Sequence, residues 1–198
     1  MGSRVMHAII AHEITKRIKF EDTDMFLLGA IAPDAYSDKE KTHYFTGDAL
    51  QFSRRVDYSA FIDDFDIALS DYHLGYYCHL IADEMWLQGF YSPWLKKLIE
   101  VKPEIQQSYF NDFQNLNALL QTEYSDIKDA YQSIKIPLNI PVICGITFDS
   151  MNNLMSAINA DFNTTSQDEL KVFRYDQISA HLKRAVDHCV YRLKSLSK

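Results

Sequence analysis

The chain has 198 residues, 47% of them hydrophobic and 24% charged, with a formal net charge of -7. That length suits one domain with a substantial core, and the composition is that of an ordinary soluble globular protein. The acidic balance argues against general charge attraction to nucleic acid or anionic lipid, and no sequence-specific nucleic-acid binding is expected.

The opening residues, Met1 to His7, hold no apolar run of signal-peptide length. Residues 4–19 are predicted as the first helix, with Ser3 as its N-cap and Ile10, Ile14 and Ile18 as its apolar arc. His7 projects inward with Ala11, whereas His12 points roughly 140° away toward solvent, beside Lys16 and Lys19. Asp22 to Asp24 form a turn and cap for a short helix, Met25–Ala32, which is too short to span a bilayer. Pro33 stops that helix, so Asp34 is presented just beyond it, into an interior cleft. The polar loop Tyr36 to Thr42 leads into Thr42-His43-Tyr44-Phe45, where flanking aromatics imply partial burial of His43.

Asp57 to Ala68 reads as an amphipathic helix with an acidic face at Asp63, Asp64 and Asp66. The central helix runs from Tyr72 to about Tyr91, and Ser92-Pro93 starts a short helical turn through Leu98. Further helices are predicted over Pro103 to Tyr124 and Ser125 to Ile134, followed by an extended surface connection, Ile136 to Val142. Asp149 or Ser150 caps a helix reaching about Phe162, and a polar break, Asn163 to Asp168, precedes a last helix over Glu169 to Leu196. Its stripe is Ile178, Leu182, Ala185, Cys189 and Leu193. With six glycines, five prolines and no linker or repeat, the expectation is an all-α, single-domain bundle of about seven helices over residues 1–198. The three scattered cysteines, Cys78, Cys144 and Cys189, form no CxxC pair and read as small buried apolar residues in a reducing, cytoplasmic compartment.

Chemistry concentrates in the central helix. His79 and Asp83 lie four apart on one face, about 6 Å along the axis, with Tyr72, Gly75, Tyr76 and Trp86 on roughly the same side. An imidazole and a carboxylate on a mostly apolar helix need a common partner: a metal ion, a core hydrogen-bond network or a subunit contact. Added to His7, Asp34 and His43, they make three imidazoles and two carboxylates that are costly to bury without neutralisation. A divalent cation removes that cost, and two cations sharing a bridging carboxylate would use all five. Nitrogen and oxygen ligation without thiolate suits zinc, and also iron, manganese or nickel.

These residues also carry a resemblance. Met6-His7 opening a helix, Leu28-Gly-Ala-Ile-Ala-Pro-Asp34, Thr42-His43-Tyr44-Phe45 and Gly75-Tyr-Tyr-Cys-His79-Leu-Ile-Ala-Asp83 follow in an order similar to the zinc-dependent phospholipase C family. That all-helical superfamily also holds single-strand-specific zinc nucleases. The match covers residues 1–90 and is vague beyond. It implies that His7, Asp34, His43, His79 and Asp83 ligate zinc, that Asp83 bridges two ions, and that Asp34 serves as ligand or general base. The implied activity is hydrolysis of a phosphodiester or phosphomonoester by metal-activated water, on a small phosphoester or phospholipid-like substrate. The chain departs from the family at two places. It lacks the N-terminal tryptophan whose amino group ligates zinc in secreted members, and Gln88 and Gly89 stand near where a third-zinc histidine belongs, with no HxxxE after them. One or two ions are therefore expected rather than three. The alternative is a non-catalytic helical binding or structural protein whose metal site is kept for stability.

Other polar residues carry plainer readings. His73 is about 120° around the helix from His79 and is read as structural or supporting; Asp112, with Asn111 and Asn115, either lines a substrate cleft or, the favoured reading, faces solvent. His181 and His188 are read as surface or boundary residues on the shoulder of the last helix. Tyr72, Tyr76 and Trp86 are expected to be core. The HD-domain phosphohydrolases are a remote rival, because the chain contains no adjacent His-Asp and Asp187-His188 is reversed.

Overall fold

The computed structural model describes residues 2–65, 69–165 and 168–196. The chain begins with α1 (Arg4–Thr15), in which the Ser3 side chain accepts from the Met6 N–H at 3.2 Å, the expected cap. The helix is shorter than predicted. The Thr15 hydroxyl donates to the His12 carbonyl at 2.7 Å as the ladder ends, and Phe20 turns back to stack on Phe26 with ring centroids 3.9 Å apart.

Next come α2 (Thr23–Ile31), capped by Asp22, and a 3₁₀ turn, Ala32–Ala35, which Pro33 enters and which carries Asp34. The loop that follows folds into a short helix, α3 (Lys39–Thr42). A two-residue antiparallel hairpin, β1 (Phe45–Thr46) with β2 (Arg55–Val56), pairs Phe45 with Val56; this element was absent from the sequence expectation. The helix α4 (Tyr58–Phe65) exposes Asp63 and Asp64, and the rest of its predicted span, including Asp66, lies outside the described residues.

The central α5 (Asp71–Trp86) runs without a break into a π-helical segment, Leu87–Leu95, and α6 (Lys96–Val101). Pro93 sits inside this run instead of interrupting it. The wider π turn relieves the clash between the proline ring and a preceding carbonyl. The second half comprises α7 (Ile105–Glu123), α8 (Ile127–Gln132), α9 (Phe148–Asp161) and α10 (Tyr175–Leu196). Thr147 caps α9 through the Ser150 N–H, two positions earlier than the nearer predicted cap. The described residues thus form an all-α fold around one core, with ten α-helices where about seven were expected. The excess comes from short helices in what read as loops and turns.

The tightest packing is between α2 and α5. A Cβ on Gly75 would stand 2.0 Å from the Phe26 carbonyl oxygen, and one on Gly29 would stand 1.9 Å from the Tyr72 oxygen. Each glycine lets the other helix's backbone come into direct contact. The close approach of the two helices is therefore reciprocal. Tyr72, Tyr76 and Trp86 are buried in the core as expected. Cys78 and Cys189 are buried free thiols, while Cys144 is only half-buried, so the expectation of three buried cysteines is corrected there. Among the described residues no helix is long and apolar enough to cross a membrane.

Candidate metal centre

The α2–α5 contact positions the site. It brings the Ala30 carbonyl at the end of α2 to 2.8 Å from His79 Nδ1. A carbonyl only accepts, so Nδ1 carries the proton and Nε2 presents its lone pair. Asp83, one turn on, is wholly buried beside it, with Oδ2 at 3.6 Å from His79 Nε2.

His43 arrives from the other side, just after α3. The Tyr76 hydroxyl on α5 donates to the Thr42 carbonyl at 2.6 Å and pins this corner to the core. Tyr44 then takes a left-handed backbone angle (φ 50°), strained for a bulky residue. Its carbonyl accepts from the Asp57 N–H at 2.9 Å, which holds the turn. His43 Nδ1 lies 2.9 Å from the Thr42 hydroxyl, which itself donates to the Asp38 carbonyl at 3.3 Å. With the hydroxyl proton on the Asp38 carbonyl, His43 Nδ1 is the donor and its Nε2 lone pair also faces inward. Burial of His43 is nearly complete, not partial as expected.

The convergence is close. His43 Nε2 is 3.3 Å from His79 Nε2, 3.3 Å from Asp83 Oδ2 and 3.7 Å from Asp34 Oδ1. Around a tetrahedral zinc with bonds of about 2.0–2.1 Å, neighbouring ligand atoms stand about 3.3–3.4 Å apart. Two imidazole nitrogens presenting lone pairs to each other repel unless a cation lies between them. The donor set of this chain therefore fits a divalent cation by distance and by tautomer.

His7 completes the group from α1. Its ring stacks on His79 at 3.7 Å between centroids, 13° from parallel, and Nε2 is 3.3 Å from the other oxygen of Asp83. Both His7 ring nitrogens are buried and find no hydrogen-bond partner among the described residues. The two oxygens of Asp83 thus face different histidines, Oδ1 toward His7 and Oδ2 toward His43 and His79. The ligand atoms of His7, His79 and Asp83 lie within 4.8 Å of one another, as do those of Asp34, His43 and His79.

Electrostatics keep these groups ready to bind a cation. Burial pushes His7 down to about 4, helped by the facing His79, and pushes His43 down to about 3. Both are neutral at pH 7. Burial alone would raise the two carboxyls, but the groups around them outweigh it. His79 and Lys39 hold Asp34 well below the ordinary carboxylate range, and His7 helps to hold Asp83 there.

The remaining polar residues do not converge here. The His73 ring caps α5, its Nδ1 2.8 Å from the Ser70 hydroxyl. Asp112 does not face solvent, which corrects the favoured reading. It is 1% exposed and accepts from the Lys171, Val172 and Phe173 N–H groups at 2.7–3.1 Å. His181 is buried edge-on between Trp86 and Phe90, which corrects its surface assignment, while His188 is half-buried. His12 points away from the site toward Asp126, at 2.9 Å.

Several contributors escaped the sequence reading. The Ala30 carbonyl is backbone and leaves no side-chain signal; Thr42 had only its adjacency to His43. Lys39, which binds Asp34 Oδ1, looked like any lysine in a polar loop. A cleft of about 600 Å³ opens at Asp34 and is walled by Arg4, Lys39, Tyr91, Tyr109 and Phe113. A groove of similar size lined by Ile18, Phe20, Met25 and Leu74 has no histidine in its wall.

Compared with protein-family models, with curated proteins and with solved structures, the chain matches none of them.

Proposed function

We propose that this protein is a metal-dependent hydrolase of a phosphoester, with zinc, as one or two ions, the favoured cation. The observation that carries the reading is the meeting of the His43 and His79 Nε2 lone pairs 3.3 Å apart against one oxygen of Asp83. A metal-free hydrogen-bond network would place a proton between such nitrogens, and the Ala30 and Thr42 contacts put those protons on the far side of each ring. A divalent cation in this place supplies Lewis acidity and a water that ionises near neutral pH.

In this reading His43, His79 and Asp83 are the central ligands, and His7 with Asp83 Oδ1 forms a second position. Asp34 serves better as a ligand than as a general base. A carboxyl held well below its usual range is a weak proton acceptor at neutral pH. Its place in the cleft wall, beside Lys39 and Arg4, supports an anionic substrate reaching the centre from that side. The ordered motifs over residues 1–90 and their resemblance to zinc-dependent phospholipases C support phosphoester as the substrate class. Free thiols at all three cysteines agree with a reducing, cytoplasmic setting.

The test is turnover of generic phosphomonoesters and phosphodiesters by purified protein, with and without chelator. Hydrolysis that disappears with chelator, returns with zinc and is lost in Asp34→Asn supports the reading. Zinc that raises the melting temperature while no phosphoester is cleaved would instead establish the non-catalytic alternative.

A further inference from the structure

We propose that Lys39 is a counter-ion that competes with the cation for Asp34, and that it doubles as a phosphate-binding side chain in the adjoining cleft. The inference rests on the phosphoester reading above and adds to it a residue whose role can be measured separately.

Three observations carry it. First, Lys39 Nζ binds Oδ1 of Asp34, the oxygen that lies 3.7 Å from His43 Nε2 and so faces the donor set. Ammonium and cation therefore address the same atom. Second, the pair is only half shielded: the Asp34 side chain is 13% exposed and that of Lys39 is 45% exposed. Lys39 can leave Asp34 without unpacking the core. Third, both residues line the cleft of about 600 Å³, so a lysine released from Asp34 stays where an anionic ester would lie. Arg4, the other cation in that wall, is committed to Asp161 at 2.8 Å.

Charge bookkeeping gives the direction. Asp34 and Asp83 bring two negative charges, and ligating imidazoles bring none. One divalent cation balances them, which leaves the Lys39 charge in surplus; two cations leave the centre positive and repel it. With either stoichiometry the ammonium is better placed on an incoming phosphate. Lysine suits this exchange because its point charge sits on a long flexible stem.

The experiment compares wild type with Lys39→Met, and with Lys41→Met as a control for general charge. Lys41 is 74% exposed and pairs with Asp38 at 3.5 Å. Zinc affinity is read by competition with a chromophoric chelator, and inorganic phosphate binding to the zinc-loaded protein by calorimetry. Lys39→Met should bind zinc about 1.5- to fivefold more tightly, the range of a partly exposed ion pair. It should bind inorganic phosphate about tenfold more weakly, as for loss of one charge-assisted hydrogen bond. Lys41→Met should change neither. Lys39→Gln repeats the test should the methionine variant fold poorly.

Unchanged or weaker zinc binding in Lys39→Met, or unchanged phosphate binding, overturns the proposal. Equal effects in the Lys41 control do so as well. If wild type binds zinc and hydrolyses phosphoesters while both Lys39 variants behave like it, only the Lys39 role fails. If wild type binds no zinc at all, the reading beneath it fails too.

Discussion

Two carboxylates, Asp83 and Asp112, are almost completely buried in the same fold, and their surroundings are opposite. Asp112, in the second half, is enclosed by backbone N–H groups from three consecutive residues, 171–173. These donors already stabilise its charge, so it requires no ion. Asp83, in the first half, accepts from the Gly2 N–H at 3.4 Å through Oδ1 and also faces three imidazoles, at least two of which turn lone pairs toward it. A carboxylate wrapped by backbone donors is a structural clasp; one that also meets imidazole lone pairs is suited to share a cation with them. The physical distinction lies in the hydrogens around the acid and not in its burial.

The strongest way to break this contrast is to neutralise each acid in turn. Asp83→Asn should weaken zinc binding by more than about 100-fold, beyond the usual loss from removing a supporting residue, as read by chelator competition. Asp112→Asn should leave zinc stoichiometry unchanged yet lower stability by about 2–4 kcal/mol through lost charge-assisted hydrogen bonds, measured by urea unfolding. Equal effects of the two substitutions on zinc would erase the difference between the regions.

Acid should also act on the first half. His7 and His43 titrate in the fold at about 4 and about 3, below their unfolded value of 6.5. The unfolded chain therefore takes up protons first as pH falls. Their contribution is fully present above pH 6.5 and is lost as pH drops toward 4 and below. The melting temperature of metal-free protein should fall over that interval; a flat profile would contradict the burial of neutral imidazoles. The smallest effect should come from Thr42→Val, which removes the acceptor that orients His43. Zinc affinity should drop about tenfold with little change in fold, and a circular dichroism melt alongside the zinc titration checks both.

The first half was largely legible because its signals are local. A proline placed Asp34, and a four-residue step put His79 and Asp83 on one face. The orientation of the imidazoles was not legible, since it depends on the Ala30 carbonyl and the Thr42 hydroxyl, which come near only through packing. Lys39 stayed hidden for the same reason. In the second half, tertiary contacts overrode local preference. The predicted last helix from Glu169 starts only at Tyr175, because the N–H groups of residues 171–173 are spent on Asp112. Phe173 is drawn into a ring cluster with Trp86, Tyr109 and Phe113. Asp112 and His181 were misread because an isolated polar residue on a helix carries no mark of the segment that will cover it.

The most direct test of the central claim is elemental analysis of gently purified protein, counting ions per chain in wild type and in Asp83→Asn. The account predicts one or two divalent ions per wild-type chain, with zinc foremost, and loss of metal in the variant with the fold retained. Wild-type protein that holds no metal, and takes up none when zinc, iron, manganese or nickel is added, would show that the three histidines and two aspartates form a hydrogen-bond network and nothing more.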